Sequence, residues 1–224
     1  MRAKTARKPR QARRVPDVLT REEAISLLRQ TSKRAPTGIR NRAGLMLMYR
    51  GGLRVSEVAN LTPQDVKLSN GQGPRLIVRQ GKGRKDRTVP LPQETVDTLL
   101  LWEARREEFA PRSRWFFCTI TEGTSTGIAP AKGKRKPLKP GSQVQPAYWR
   151  ALVTRLARKA SIGRRVHPHM LRHTFATEKL REGWDIESLR VMLGHSSIAT
   201  TQVYLHVDET RLSELQAKAE PLKL

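Results

Sequence analysis

The chain has 224 residues, 37% of them hydrophobic, which suffices for one good-sized core and implies a single domain with tails. Its 44 Lys and Arg against 20 Asp and Glu give a formal charge of +24, far more than solubility requires, so a polyanionic partner is expected, nucleic acid ahead of an anionic membrane surface. There is no run of about 18 apolar residues and no apolar signal-peptide core, which excludes a spanning helix and sets the expectation of a soluble, cytoplasmic, nucleoid-associated protein.

Residues 1–16 carry seven Lys or Arg and no acid, too little apolar surface to offset ordering, and read as a disordered basic arm ahead of a domain at 17–224. That domain starts at "TREE", where Thr20 and Glu23 form a capping box before Ala24, Ile25, Leu27 and Leu28. A second apolar helix is predicted over about 38–50 and stops at Gly51-Gly52. In "LTPQD", Thr62 and Pro63 start a turn or two of helix. Leu76–Arg79 and Arg87–Leu91 read as a hairpin with a basic Gly-Lys-Gly tip. A long amphipathic helix follows at about 93–109, then a short strand at Trp115–Thr119 that contains the sole cysteine, Cys118. This residue is expected to be small, buried and unpaired. The composition of 120–143 is that of a long loop. Helices are predicted at about 144–160, 168–182, 186–193 and 198–206, with Gly183 and Gly194 as stops, and a last amphipathic one at 208–219. The fold class is α+β, mostly helical with a small antiparallel β-sheet.

Charge is concentrated. From Gly123 to Thr177 there are twelve Lys or Arg and no Asp or Glu, so one face should be strongly positive. At the end of that stretch, "HPHMLRH" packs His167, His169, Arg172 and His173 into seven positions. On a helix, His169 and Arg172 share a side. His169 and His173 also have the i, i+4 spacing of helical zinc ligands, but no Glu lies between them and no second cysteine exists, so no metal is assigned. Taken alone, the stretch reads as a satisfied core histidine beside a solvated arginine.

Three further pieces change that reading. "LGHSS" places His195 after a helix-ending glycine, "TTQVYLHV" presents Tyr204, and "GGLRVSEV" places Arg54 after a Gly pair. In this order the four pieces resemble the tyrosine recombinase (integrase) family, and the resemblance runs from about Val15 to Leu212, the family's catalytic domain. It implies DNA cleavage and rejoining through a 3′-phosphotyrosine, in site-specific recombination and DNA integration, with Arg54, Lys82, His169, Arg172, His195 and Tyr204 as active residues.

The chemistry accounts for these residue types. Attack on a phosphodiester puts extra negative charge on the non-bridging oxygens, which Arg54 and Arg172 can grip with paired N–H groups. By the resemblance Tyr204 is the nucleophile and Lys82 the general acid for the leaving 5′-oxygen, with Lys85 as a near neighbour that could substitute; His169 is then the base and His195 a donor to the phosphate. Glu57, one turn after Arg54, orients that arginine. Arg84, Lys85, Lys132, Lys134, Arg135 and Lys136 are read as contacts to the DNA backbone. No cofactor is required, because the positive charge is built in.

The resemblance further implies double-stranded DNA as partner and a homo-oligomer, dimer or tetramer, on that DNA. The apolar stripe Leu212, Leu215, Ala219 could dock on a neighbouring protomer or on its own domain. Only about sixteen residues precede the catalytic fold, where family members usually carry a DNA-clamping domain. The chain therefore reads as a minimal integrase, a fragment, or a protein whose clamp is supplied by an accessory partner. A non-catalytic DNA-binding regulator on the same fold and a type IB topoisomerase-like nicking-closing enzyme stay open.

Overall fold

Thr20 starts the first helix as the sequence requires: its hydroxyl accepts the Glu23 N–H at 3.2 Å while the Glu23 carboxylate accepts the Thr20 N–H at 2.9 Å. The computed structural model describes residues 16–68, 71–79, 86–121, 123–124 and 137–207. The basic arm up to residue 15, the hairpin tip with Lys82, Arg84 and Lys85, the loop cations Lys132, Lys134, Arg135 and Lys136, and the predicted helix at 208–219 lie outside the described residues.

Helix α1 (Arg21–Arg29) buries Ala24, Leu27 and Leu28. Helix α2 (Pro36–Arg50) is buried from Gly38 to Tyr49 apart from Arg42, because it packs against neighbours on several sides, chiefly α4 (Gln93–Phe109) and α6 (Pro168–Arg181). On α4 the buried residues Val96, Leu99, Trp102 and Arg106 recur every three or four positions, one stripe of a surface helix. Around Phe117 the core is aromatic. Trp102 stacks on it at 6.4 Å, and Phe116 and Trp149 meet it edge-on at 5.1 and 5.4 Å.

The small sheet has the order β1 (Val66–Lys67), β2 (Arg75–Val78), β3 (Arg87–Pro90), all antiparallel, with Leu76 opposite Val89 and Val78 opposite Arg87. The two-residue β1 is too short to leave a period-2 pattern and was not expected. In β3 the inward positions are Arg87 and Val89.

Three expectations change. Trp115–Thr119 is not a strand: it makes one isolated bridge, Cys118 with Gln143, while Phe116 N–H donates to Leu61 and Val144 N–H to Phe117. Its apolar run reflects insertion of Phe116, Phe117 and a free, fully buried Cys118 into the core. Within 120–143, expected to be all loop, β4 (Gly123–Thr124) pairs with β5 (Pro137–Leu138). The segment 198–206 is not one α-helix but two 3-10 turns, Ile198–Thr200 and Gln202–Val207. Ile198, Thr200, Thr201 and Val203 are β-branched and lose χ1 freedom in an α-helix, and Thr201 N–H closes an i to i−3 bond on Ile198. The remaining helices are α3 (Val55–Asn60), α5 (Pro146–Lys159) and α7 (Ile186–Leu193). Helix α7 is capped by Asp185, which accepts the Ser188 N–H, and ends at Gly194 in the left-handed region (φ 65°). None of the described helices is long and apolar enough to cross a membrane.

Candidate active site

The Gly51-Gly52 turn between α2 and α3 sets the first residue. Gly52 has φ 63°, and a Cβ there would lie 2.5 Å from the Phe175 ring, so the position needs glycine for both backbone and space. The turn delivers Arg54 to the start of α3. There the Arg54 N–H and guanidinium donate to opposite oxygens of Glu57, at 2.7 and 2.9 Å.

Glu57 is the hub of the site. Arg87, inward-facing on β3, donates to both of its oxygens at 2.9 and 2.8 Å, and Arg172 approaches to 3.8 Å. Burial by itself would raise the Glu57 pKa; the hydrogen bonds and charge of Arg87, then the Arg54 N–H and the Arg172 charge, outweigh it and hold it at about 2. One carboxylate thus organises three guanidinium groups. Sequence reading missed Arg87, although its phase with Val89 and Leu91 was a signal: a cation on the inward side of a strand demands a buried acid.

Arg172, 3% exposed, donates to the Gly52 carbonyl at 2.6 Å, to the Leu193 carbonyl at 2.8 Å and to His195 Nε2 at 2.9 Å. Arg87 Nε donates to the Met192 carbonyl at 2.9 Å. The last carbonyls of α7 have no partner within the helix, so two site arginines cap it and tie α6 and β3 to its end. Burial, then the Arg54 charge, pushes the Arg172 pKa down to about 9, so it stays cationic at neutral pH.

The His195 tautomer follows from these bonds. Arginine only donates, so Nε2 is the acceptor and the proton sits on Nδ1, which donates to the Thr201 hydroxyl at 2.9 Å. Burial, then the Arg172 and Arg54 charges, depresses its pKa to about 3 and keeps the ring neutral.

Tyr204 lies in the second 3-10 turn, 2% exposed. Burial raises its pKa, with Arg172 and Arg54 pulling the other way. Its hydroxyl is 2.8 Å from His173 Nδ1. His169 is exposed on the first turn of α6, its ring 6.2 Å from His167 and 6.3 Å from His173, and among the described residues it makes no hydrogen bond. Burial, then His167 and the Arg172 and Arg54 charges, lowers its pKa. The structure thus connects Arg54 and Glu57 at the start of α3 with Arg172 of α6, His195 after α7 and, through Thr201, Tyr204 in the second 3-10 turn. It places His173, the i, i+4 neighbour of His169 to which the resemblance gives no role, against the tyrosine hydroxyl. Among the described residues no three His, Cys, Asp or Glu side chains form a group able to hold a metal ion.

A buried anionic hub ringed by fixed cations, beside a phenol, is suited to binding a phosphoryl group and attacking it. The comparisons with known proteins point the same way. The model of the phage integrase family matches residues 17–211. The tyrosine recombinase XerD of Halalkalibacterium halodurans is 33% identical over 95% of this chain, and the tyrosine recombinase XerC of Proteus mirabilis is 34% identical over 98%. The chain spans 64% of the length of each of these two relatives. Among solved structures, XerA recombinase superposes with TM-score 0.71 at 30% identity, covering 94% of this chain and 68% of that one. XerH recombinase bound to its palindromic difH substrate after cleavage also gives TM-score 0.71, at 28% identity, covering 92% and 54%.

Proposed function

The chain belongs to the phage integrase family of tyrosine recombinases, and from that premise we propose that it cuts and rejoins duplex DNA through a phosphotyrosine bond at Tyr204. The observation that carries the reading is one connected set of contacts: Arg54 and Arg172 meet at Glu57, Arg172 bonds His195, and His195 bonds Thr201, whose carbonyl accepts the Tyr204 N–H. Tyr204 Oη attacks the scissile phosphorus, and the 5′-oxygen leaves with a proton from Lys82, which belongs to the hairpin tip outside the described residues. Arg54, the more exposed of the two family arginines at 31%, meets the non-bridging oxygens first, and Arg172 shifts donors onto them as charge develops. His169, exposed on the first turn of α6, is assigned to the phosphate.

His195 donates to the phosphate only in its Nε2-protonated form. Once the phosphate draws Arg172 away, Nε2 is released from its acceptor role and the ring can exchange tautomers. The energy of the broken phosphodiester is kept in the phosphotyrosine, so a second 5′-hydroxyl completes strand exchange without a nucleotide or a metal.

The basic residues Arg84, Lys85, Lys132, Lys134, Arg135 and Lys136 are assigned to the DNA backbone. Assembly as a dimer or tetramer on DNA is assigned to the stripe Leu212, Leu215, Ala219, with an accessory protein able to supply a clamp. Sedimentation of the DNA complex with and without residues 208–224 tests that assembly. Identical complexes would remove it.

The cleavage chemistry is tested on a nicked duplex that loses a short fragment when cut, in EDTA and without nucleotide, using the cognate site or a randomised library screened for covalent capture. Protein trapped on the 3′-phosphate end is expected. DNA binding without any adduct would instead make the chain a DNA-binding regulator.

A further inference from the structure

We propose that His173, rather than His169, takes the proton from the Tyr204 hydroxyl during attack on the phosphodiester. The inference rests on the reading of Tyr204 as nucleophile and assigns a residue the recombinase resemblance does not name.

The geometry is direct. His173 Nδ1 lies 2.8 Å from Tyr204 Oη, within reach for proton transfer, with the rings 5.6 Å apart and inclined at 51°. Tyr204 is 2% exposed, so bulk water is poorly placed to accept that proton. His173 is partly exposed and so can pass a proton on to solvent. His169 sits one turn earlier on the outer side, its ring 6.3 Å from His173, and leaves the hydroxyl to its neighbour. The 3-10 turn is what produces the contact: Tyr204 N–H bonds the Thr201 carbonyl, and Thr201 is itself pinned by His195. Before phosphate binds, one chain of contacts, Arg172 to His195 to Thr201 to the Tyr204 backbone, links the nucleophile to the phosphate-binding arginine.

A base must be unprotonated at the working pH. Burial, then the charges of His169, Arg172 and His167, with Asp17 opposing, lowers the His173 pKa to about 4 and satisfies that condition.

The step balances. The phenol O–H bond breaks and its proton goes to Nδ1 of the Nε2–H tautomer, while Oη forms a bond to phosphorus. The phosphorus to 5′-oxygen bond breaks, its electron pair stays on that oxygen, and the general acid supplies the proton there. In religation the same path runs backward and His173 returns the proton to Oη.

The test is single-turnover adduct formation on the nicked duplex, with DNA affinity measured in parallel. His173→Ala is expected to slow adduct formation about 10²–10⁴-fold with affinity within about twofold. His173→Asn carries an amide oxygen near the place of Nδ1, accepts the hydroxyl's hydrogen bond and cannot take its proton, so it should be as slow as His173→Ala. Replacing tyrosine by 3,5-difluorotyrosine, a more acidic phenol, should shrink the His173→Ala defect and leave an Arg172→Ala defect unchanged. Should His173→Ala fail to fold, His173→Gln takes its place in the same comparison. Near-normal rates in His173→Asn would reduce the residue to positioning and overturn the proposal, as would a normal rate in His173→Ala. Absence of an adduct with the unmodified chain on its cognate site would instead sink the reading of Tyr204.

Discussion

Replacing Glu57 by glutamine should make the protein's acid sensitivity shrink. In the fold the Glu57 carboxyl titrates at about 2 against an ordinary 4.5, because Arg87 grips both of its oxygens and Arg54 and Arg172 lie beside it. A difference of about 2.5 in pKa, at about 1.4 kcal/mol per unit, corresponds to about 3 kcal/mol of folding stability. The side chain is 11% exposed, so solvent screens little of this. Its pKa is depressed by folding, so the unfolded chain binds the extra proton. The contribution is complete above about pH 4.5 and is lost as pH falls from there towards 2. The neutral amide of Glu57→Gln resembles the protonated carboxyl at all pH values and leaves three guanidinium groups without a counter-ion. Urea unfolding measured from pH 7 to pH 2.5 should show the variant about 3 kcal/mol less stable at neutral pH, with the two curves drawing together as pH falls. Other depressed carboxyls, such as Glu23 and Asp185, contribute equally to both proteins and cancel. A constant gap across the range, or no gap at pH 7, would refute the idea that Glu57 is held ionised by its arginines.

Two further predictions use the same site. Lys82→Ala should slow cleavage of ordinary DNA but spare a substrate whose 5′-bridging oxygen is sulfur, since a thiolate leaves without protonation, and Lys85→Ala should change little; a sulfur-rescued defect in Lys85→Ala would move the acid to that residue. Gly52→Ala forces a side chain into left-handed backbone and against the Phe175 ring, so unfolding in urea should show a loss on the order of 2–5 kcal/mol, and a loss below about 1 kcal/mol would mean that the turn relaxes freely.

The parts of this fold that could be read from sequence are those set by local chemistry. Thr20 and Glu23 declare a helix start through a reciprocal hydrogen bond, and Gly194 declares an end through its left-handed backbone. Residues 93–109 carry a buried stripe of helical period, and the structure returns the same bounds. Where tertiary contacts decide, the pattern misleads. "WFFCT" has the composition of a strand, yet its backbone is spent on Leu61 and the 142–144 segment while its rings fill the core. The helical reading of 198–206 fails because Thr201 serves His195 and its β-branched neighbours favour tighter turns.

For the site, the family positions Arg54, Arg172, His195 and Tyr204 could be named from motifs, but their mutual wiring could not. Arg87 is bonded to a carboxylate 30 positions upstream, and no local pattern records such a pairing. His173 was visible as the i, i+4 partner of His169, and that spacing suggested only a metal. Its contact with Tyr204, 31 positions downstream, depends on how the 3-10 turn folds back onto α6.

The central claim is that Tyr204 becomes covalently bonded to DNA. The chain has three tyrosines, and the other two are occupied elsewhere: Tyr49 donates to Glu178, and Tyr148 packs beside Arg40 and Asn41. Peptide mass mapping of protein captured on the 3′-phosphate of a nicked cognate duplex, in EDTA, should therefore find the nucleotide adduct on the peptide containing Tyr204. Tyr204→Phe should keep DNA affinity and give no adduct. Capture on Tyr49 or Tyr148, or an adduct that survives in Tyr204→Phe, would contradict the account.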